Sequence, residues 1–468
     1  MGAIESSGNS PQVSALQQTK IHSLGASISS FCTPRQRRCR LRWLFAVLVS
    51  ILAPAIQSSD FSGYAYPITD PFEATVTGTP VELRHEIDQE KPIRVRSFDL
   101  DIFPGREMPP LFQSVRKLEF TLAYQEQASP LLFVIAGTGG SHRAATARFL
   151  QRVFYQAGFH VITLSSPTSY EFITAASQSR YPGISAEDAG DLYRVMQLSL
   201  ERVKDRISVT DVYLTGYSLG GLQAAFVSQR DEQEKAIGFR KVLLLNPPVS
   251  LYTSASILDG LVSSDPRLKN AHLFFNGLFE KFTKYFKENG MIRLDDEAFL
   301  FKFQESDQSL EKEELMALIG AAFRFTSAGL VFTVDALNQT GYVVEKGQRL
   351  TLGTPLEQYF KRGLWWRFTD YFELLLIPYW KHLHPQDSRD HLIAKISLFA
   401  LRDYLAGAQK IGVISNADEI ILAPGDIRFL SETFGSRATI FPRGGHLGNI
   451  QHRDYVAHML AFFDAKGG

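Results

Sequence analysis

The first patterned stretch of the chain starts near Ile93, where Val95, Phe98, Leu100 and Ile102 sit among polar or charged neighbours. A second, from Lys117 to Gln125, puts Leu118, Phe120 and Leu122 on one face. Both predict half-buried strands, the antiparallel opening of a sheet. Leu131 to Ala136, His160 to Leu164 and Val212 to Thr215 differ in kind: they are short, nearly continuous apolar runs bounded by Gly, Ser or Pro. That pattern suits parallel strands covered on both faces. Between the last two, Ala189, Leu192, Met196, Leu200 and Val203 recur at helical spacing behind Ser185, a capping residue with Asp188 three positions on. Strand, helix, strand, Gly-rich turn and the helix-compatible Leu222 to Ser228 predict a doubly wound α/β sheet. Val242 to Leu245 and Ile411 to Ile414 extend it.

Those last two strands are far apart, and the interval from residue 251 to 408 carries helical patterns with few strand signals. Phe275, Phe279, Phe282 and Phe286 fall on one helical stripe, and apolar stretches follow at Leu315 to Phe325, Leu330 to Val334, Leu364 to Trp380 and Leu392 to Leu405. The expected organisation is an N-terminal tail and targeting segment (1–55), an irregular lead-in (56–92), a core in two parts (93–250 and 409–468), and a helical cap inserted between late strands (251–408).

Composition narrows the class. The chain has 468 residues, 45% of them hydrophobic, enough to bury a large core, and its 49 Lys+Arg balance 49 Asp+Glu. No broad basic field exists to hold a nucleic acid. Five arginines between Arg35 and Arg42 precede an apolar run, Trp43 to Leu52, and the small residues Ala53-Pro54-Ala55. This is the layout of a secretory signal peptide, and the run is shorter than the ~20 apolar residues of a membrane span. Export with cleavage after Ala55 is expected. The long polar segment before the arginines leaves two alternatives, a true start further along the chain or an uncleaved membrane anchor. Both cysteines, Cys32 and Cys39, lie upstream of Ala55. Cleavage there leaves no disulfide, thiolate nucleophile or Cys-ligated zinc.

The chemistry begins at Gly216-Tyr217-Ser218-Leu219-Gly220, which matches G-x-S-x-G between a predicted strand and a predicted helix. A sharp strand-to-helix turn exposes such a serine, and the helix N-terminus favours negative charge beside it. A serine hydroxyl needs a general base. His446, in Gly444-Gly445-His446-Leu447-Gly448, follows the extended Ala438 to Phe441 and has glycines that let its ring reach over the sheet. An acid to orient it belongs in the loop after Ile411 to Ile414, where Asp418 and Glu419 are adjacent. Asp418 is preferred, because Ile420-Ile421-Leu422 suggests that residue 419 turns back toward the scaffold. Two N–H donors must face a developing oxyanion. Leu219, directly after the serine, is one, and Thr138, in the Gly137-Thr138-Gly139-Gly140 loop, is assigned as the other.

With these residues the chain resembles the α/β-hydrolase superfamily over about Leu131 to Ser250 and Gln409 to Phe463. The resemblance implies acyl transfer to Ser218, proton shuttling by His446, orientation by Asp418 and hydrolysis without a metal or organic cofactor. The oxyanion loop has Ala136-Gly137 where many members have His-Gly. Serine at the turn excludes the branches that use aspartate there. The substrate expected is a small or lipid-like carboxylic ester, with Trp365, Trp366, Phe368, Tyr371 and Phe372 of the cap suited to an apolar acyl group. Acyl transfer to an envelope or lipid alcohol, peptide or amide hydrolysis, and a non-catalytic binding role are the alternatives. Membrane association through residues 43–55 or the cap is possible on this pattern, and no protein partner is implied. His452-Arg453-Asp454 spells the start of a kinase catalytic loop, but Met459 stands where its metal-binding asparagine belongs, so a helix start is expected. Asn338-Gln339-Thr340 forms a glycosylation sequon.

Overall fold

The computed structural model describes residues 63–263, 271–289 and 299–464. The arginine cluster, the apolar run and Ala55 lie outside these residues. Eight strands form one sheet: β1 (Val95–Leu100), β2 (Leu118–Ala123), β3 (Ser129–Ile135), β4 (His160–Leu164), β5 (Val209–Tyr217), β6 (Phe239–Leu245), β7 (Ile411–Asn416) and β8 (Ala438–Phe441). Their order is β1-β2-β4-β3-β5-β6-β7-β8. β1 and β2 are antiparallel, as are β2 and β4, and all later neighbours are parallel.

The apolar runs have a direct cause. Successive side chains of a strand point to opposite faces. On β3, Leu131, Phe133 and Ile135 enter one core cluster, while Leu132 and Val134 enter a second. β6 divides in the same way, with Val242 and Leu244 on one side and Leu243 and Leu245 on the other. A strand serving two cores has no polar face to alternate.

Helices α1 (Pro71–Thr77), α2 (Ala145–Gln156), α3 (Tyr170–Ala175), α4 (Ser185–Val203) and α5 (Leu219–Glu234) precede the insertion. α2 covers one sheet face through Leu150, Val153 and Phe154, joined there by Val456 and Met459 of the last helix, Arg453–Asp464. α4 and α5 cover the other through Leu192, Met196, Leu222 and Ala225. The helix start expected at His452 is therefore present. Ser185 does not cap α4, however. It is the first helical residue, behind Ile184, and its hydroxyl donates to Ile396 O at 3.4 Å. Asp188 instead accepts from Gly183 N at 2.8 Å.

The lead-in, expected to be irregular, contains α1. Asp70 Oδ1 caps it by accepting from Phe72 N at 2.8 Å and Glu73 N at 3.1 Å, with Pro71 at the first helical position. Seven residues are too few to show a helical period, so the pattern hid it.

Between β6 and β7 the chain forms α6 (Leu251–Ser263), α7 (Ala271–Asn289), α8 (Phe299–Gln304), α9 (Lys312–Asn338) and shorter helical pieces up to Gly407, with no strand among the described residues. This insertion shares a core with the sheet: Leu330, Val331, Tyr371 and Phe372 belong to the cluster that also holds Leu192 and Leu222. α9 has the length and composition to cross a membrane, yet 50% of its most apolar window is buried inside the protein. The phenylalanine stripe on α7 is divided. Phe279 is 71% exposed, whereas Phe282 packs beside Leu278 and Tyr285. The side chains of Phe275 and Phe286 lie outside the described set.

Candidate active site

β5 feeds straight into α5, and the turn between them is Ser218. Its backbone is held at φ 54°, ψ −126°, a conformation a side-chain-bearing residue adopts only when its surroundings enforce it. The neighbours do so by close approach. A Cβ on Gly216 would run into Gly220 O, and one on Gly220 would run into Ile135 O. Ser218 N donates to Leu245 O at 2.8 Å, tying the turn to the end of β6.

The serine hydroxyl, partly exposed at the sheet's C-terminal edge, lies 3.0 Å from His446 Nε2. His446 Nδ1 lies 2.9 Å from Glu419 Oε1. The carboxylate on the histidine is thus Glu419, and the assignment of Asp418 is corrected. Asp418 accepts from Gly444 N at 3.1 Å and Gly445 N at 3.0 Å, tying the histidine loop to the β7 loop. Burial pushes its carboxyl above the ordinary range, against the opposing pull of those two N–H groups. The inward turn of residue 419 inferred from Ile420-Ile421-Leu422 does occur, since the Glu419 side chain is fully buried. The histidine ring reaches inward too, so the buried carboxylate is the one that meets it.

A buried carboxylate needs partners for its oxygens. Glu419 Oε2 accepts from Asn246 Nδ2 at 2.8 Å, and Asn246 Oδ1 accepts from Tyr455 OH at 2.7 Å. Both partners are completely buried. Asn246 directly follows β6, and a polar residue ending a buried apolar strand on the edge where α/β sheets bind ligands was the signal available for it. Tyr455 offered none.

His446 is seated by its own loop. Asn416 Nδ2 donates to Gly445 O at 2.7 Å, and Asn416 and Asn449 exchange side-chain bonds of 2.9 and 2.8 Å. His446 N donates to Thr75 Oγ1 at 2.9 Å.

The loop after β3 folds against the serine: a Cβ on Gly137 would stand 3.2 Å from Ser218 Cβ. Gly139 N donates to Thr168 Oγ1 at 2.8 Å and Gly140 N to Gly137 O at 2.9 Å. The N–H groups of Thr138 and Leu219 have no acceptor among the described residues. Thr326 of α9 presses on Gly139 so closely that no Cβ would fit there. The insertion therefore covers this loop.

The cap aromatics are dispersed rather than gathered on one face, with Trp366 partly buried against the Tyr342 ring. Phe368, Tyr371 and Phe372 are sealed in the main core, while Trp365 is 84% exposed. Asn338 of the sequon spends its amide on Arg180 O at 3.1 Å. Surface cavities of about 780 and 370 Å³, lined by residues such as Arg106 and Arg180 or Glu119 and His142, contain neither Ser218, His446 nor Glu419. Among the described residues, no group of three or more His, Asp or Glu side chains could hold a metal ion.

A mixed sheet in this strand order, with a strained serine between its fifth strand and the next helix and a histidine after its last strand, decides the architecture. The chain has the α/β-hydrolase fold. No protein-family model matches the sequence, and no curated protein does. Many solved structures are similar to it. Est1E from Butyrivibrio proteoclasticus is 18% identical, with 32% of this chain and 51% of that one covered and a TM-score of 0.23. An acylaminoacyl peptidase from Pyrococcus horikoshii is 10% identical, with 81% and 43% covered and a TM-score of 0.40. A hyperthermophilic esterase from the archaeon Pyrobaculum calidifontis is 13% identical, with 83% and 87% covered and a TM-score of 0.38. The chain spans about half the length of Est1E and less than half of the peptidase. At these identities and TM-scores the likeness carries no argument, and the fold rests on this chain's own strand order and turn.

Proposed function

We propose that this protein is a serine hydrolase of carboxylic esters, with Ser218 as nucleophile, His446 as general base and acid, and Glu419 as the orienting carboxylate. The observation that carries this reading is the unbroken line from Ser218 Oγ through His446 to the buried Glu419, at 3.0 and 2.9 Å.

In this mechanism His446 Nε2 takes the hydroxyl proton as Ser218 Oγ attacks the ester carbonyl carbon. Glu419 holds the ring with Nδ1–H toward it, which leaves Nε2 free to accept, and stabilises the imidazolium formed. The carbonyl oxygen becomes an oxyanion facing the N–H groups of Leu219 and Thr138. Each such donor is worth about 3 kcal/mol of transition-state stabilisation. Collapse breaks the bond to the alcohol, which leaves with the proton from His446. Water then attacks the acyl-enzyme by the same route and releases the acid. We extend the proposal to export directed by residues 35–55, which N-terminal sequencing of the secreted and membrane fractions tests.

Labelling with a fluorophosphonate probe tests the chemistry. Wild type is expected to be labelled and Ser218→Ala and His446→Ala are not. An unlabelled wild type, or equal labelling of Ser218→Ala, overturns the reading. A series of p-nitrophenyl esters then measures the acyl chain preferred.

A further inference from the structure

The His446 loop rests on a segment from the other end of the described chain. α1 lies beneath it, so close that a Cβ on Gly445 would run into Pro71 O and one on Gly448 into Ala74 O. Thr75, the next residue of α1, also stands against Gly445. Its hydroxyl donates to Pro71 O at 2.6 Å, which fixes the rotamer and leaves a lone pair that accepts from His446 N at 2.9 Å. Flanking bonds clamp the same loop: Thr79 Oγ1 donates to Gly448 O at 2.8 Å, and Tyr64 OH donates to Arg443 O at 2.9 Å.

The opposite side of α1 faces the insertion. Phe72 and Val76 pack against the cluster of Tyr285, Phe303, Leu310 and Leu315, drawn from α7, α9 and the residues between. Lys312, at the start of α9, sits 5.5 Å from the Phe72 ring centroid and 3.8 Å from Asp70 Oδ2. One short helix thus touches the backbone of the histidine on one side and the insertion on the other.

We infer that Thr75 is a positioning residue that fixes His446 for proton transfer, and that the insertion sets this position through Phe72 and α1. The inference rests on the proposed serine hydrolase reading. Proton transfer is steep in distance and angle, and misplacing a catalytic group by about 1 Å costs on the order of 100-fold in rate. A backbone N–H anchored by a side-chain oxygen that is itself locked is a means of holding that tolerance.

The test is the rate of fluorophosphonate labelling of the full chain, measured against probe concentration. Thr75→Val keeps the shape and removes the oxygen. Thr75→Ser keeps the oxygen and removes the methyl group. The expected result is a maximal rate about 10- to 100-fold lower for Thr75→Val with unchanged half-saturation, and Thr75→Ser within about threefold of wild type. A mere packing role predicts the reverse order, with Val close to wild type and Ser impaired, and that order overturns the inference. Phe72→Ala, which leaves the hydrogen bond untouched, is expected to lower the maximal rate severalfold when rates are normalised to folded protein. If Thr75→Val does not fold, a wild-type rate in folded Phe72→Ala overturns the coupling. If wild type is not labelled at Ser218, it is the hydrolase reading that fails. Labelling of wild type and Thr75→Val at equal rates sinks only the role of Thr75.

Discussion

Asp418 and Glu419 leave the same strand end side by side and meet different partners. Asp418 receives two backbone N–H groups of the histidine loop, and Glu419 receives the imidazole and the Asn246 amide. Their substitutions are therefore expected to separate. Glu419→Gln removes the charge that stabilises an imidazolium and permits the wrong tautomer, so labelling at Ser218 is expected to fall roughly 1,000-fold or more. Asp418→Asn keeps an acceptor for the loop, and a loss of no more than about tenfold is expected. Rates measured on both variants check this, and equal losses would assign the orienting role to neither alone. Ser218 and His446 were legible in the sequence because glycine spacing and chain order mark them locally. The carboxylate that meets His446 was not, because two neighbouring carboxylates share every sequence feature except the direction of the side chain. Thr75 was illegible for a stronger reason. It lies 371 positions from His446, and no local pattern records such a contact.

At the level of elements, the strands were the most readable parts, since burial on both faces writes an apolar run that few other structures write. Helix ends were less so. In the last turn of α5, the Asp231 carboxylate accepts from Tyr193 OH at 2.6 Å, from Ile237 N at 3.1 Å and from Phe239 N at 2.8 Å. This one side chain ties α4, the end of α5 and the start of β6 together. Burial pushes its carboxyl up, but the hydrogen bonds outweigh burial and hold it below the ordinary range. Asp231→Ala leaves several buried donors unpaired and is expected to cost about 2–4 kcal/mol of stability in denaturant titrations. Asp231→Asn, which retains one acceptor, is expected to cost less. The α7 stripe marks a further limit: regular helical spacing shows the helix but not which of its phenylalanines the rest of the molecule covers, since Phe282 packs and Phe279 is exposed.

For the molecule as a whole, the two cores on either side of the sheet explain its cohesion, and a buried histidine outside them brings one expected weakness. His142, in the loop beyond Gly140, is 4% exposed, and burial holds its ring down at about 4. The unfolded value is near 6.5. The neutral ring's contribution to stability is thus fully present above about 6.5 and is lost as pH falls through about 4. Replacing it by Asn is expected to flatten the acid side of the melting-temperature profile, with wild type losing up to roughly 3 kcal/mol relative to the variant across that window. Parallel profiles for the two proteins would remove His142 from the account. The docking of α1 on the His446 loop carries a different consequence. In the proposed reading the nucleophile Ser218 lies 228 positions ahead of His446. The base, the orienting Glu419, the tyrosine behind Asn246 and the loop that α1 grips all follow the insertion. A fragment that ends before β7 holds the serine without either partner, and is expected to stay unlabelled by a fluorophosphonate.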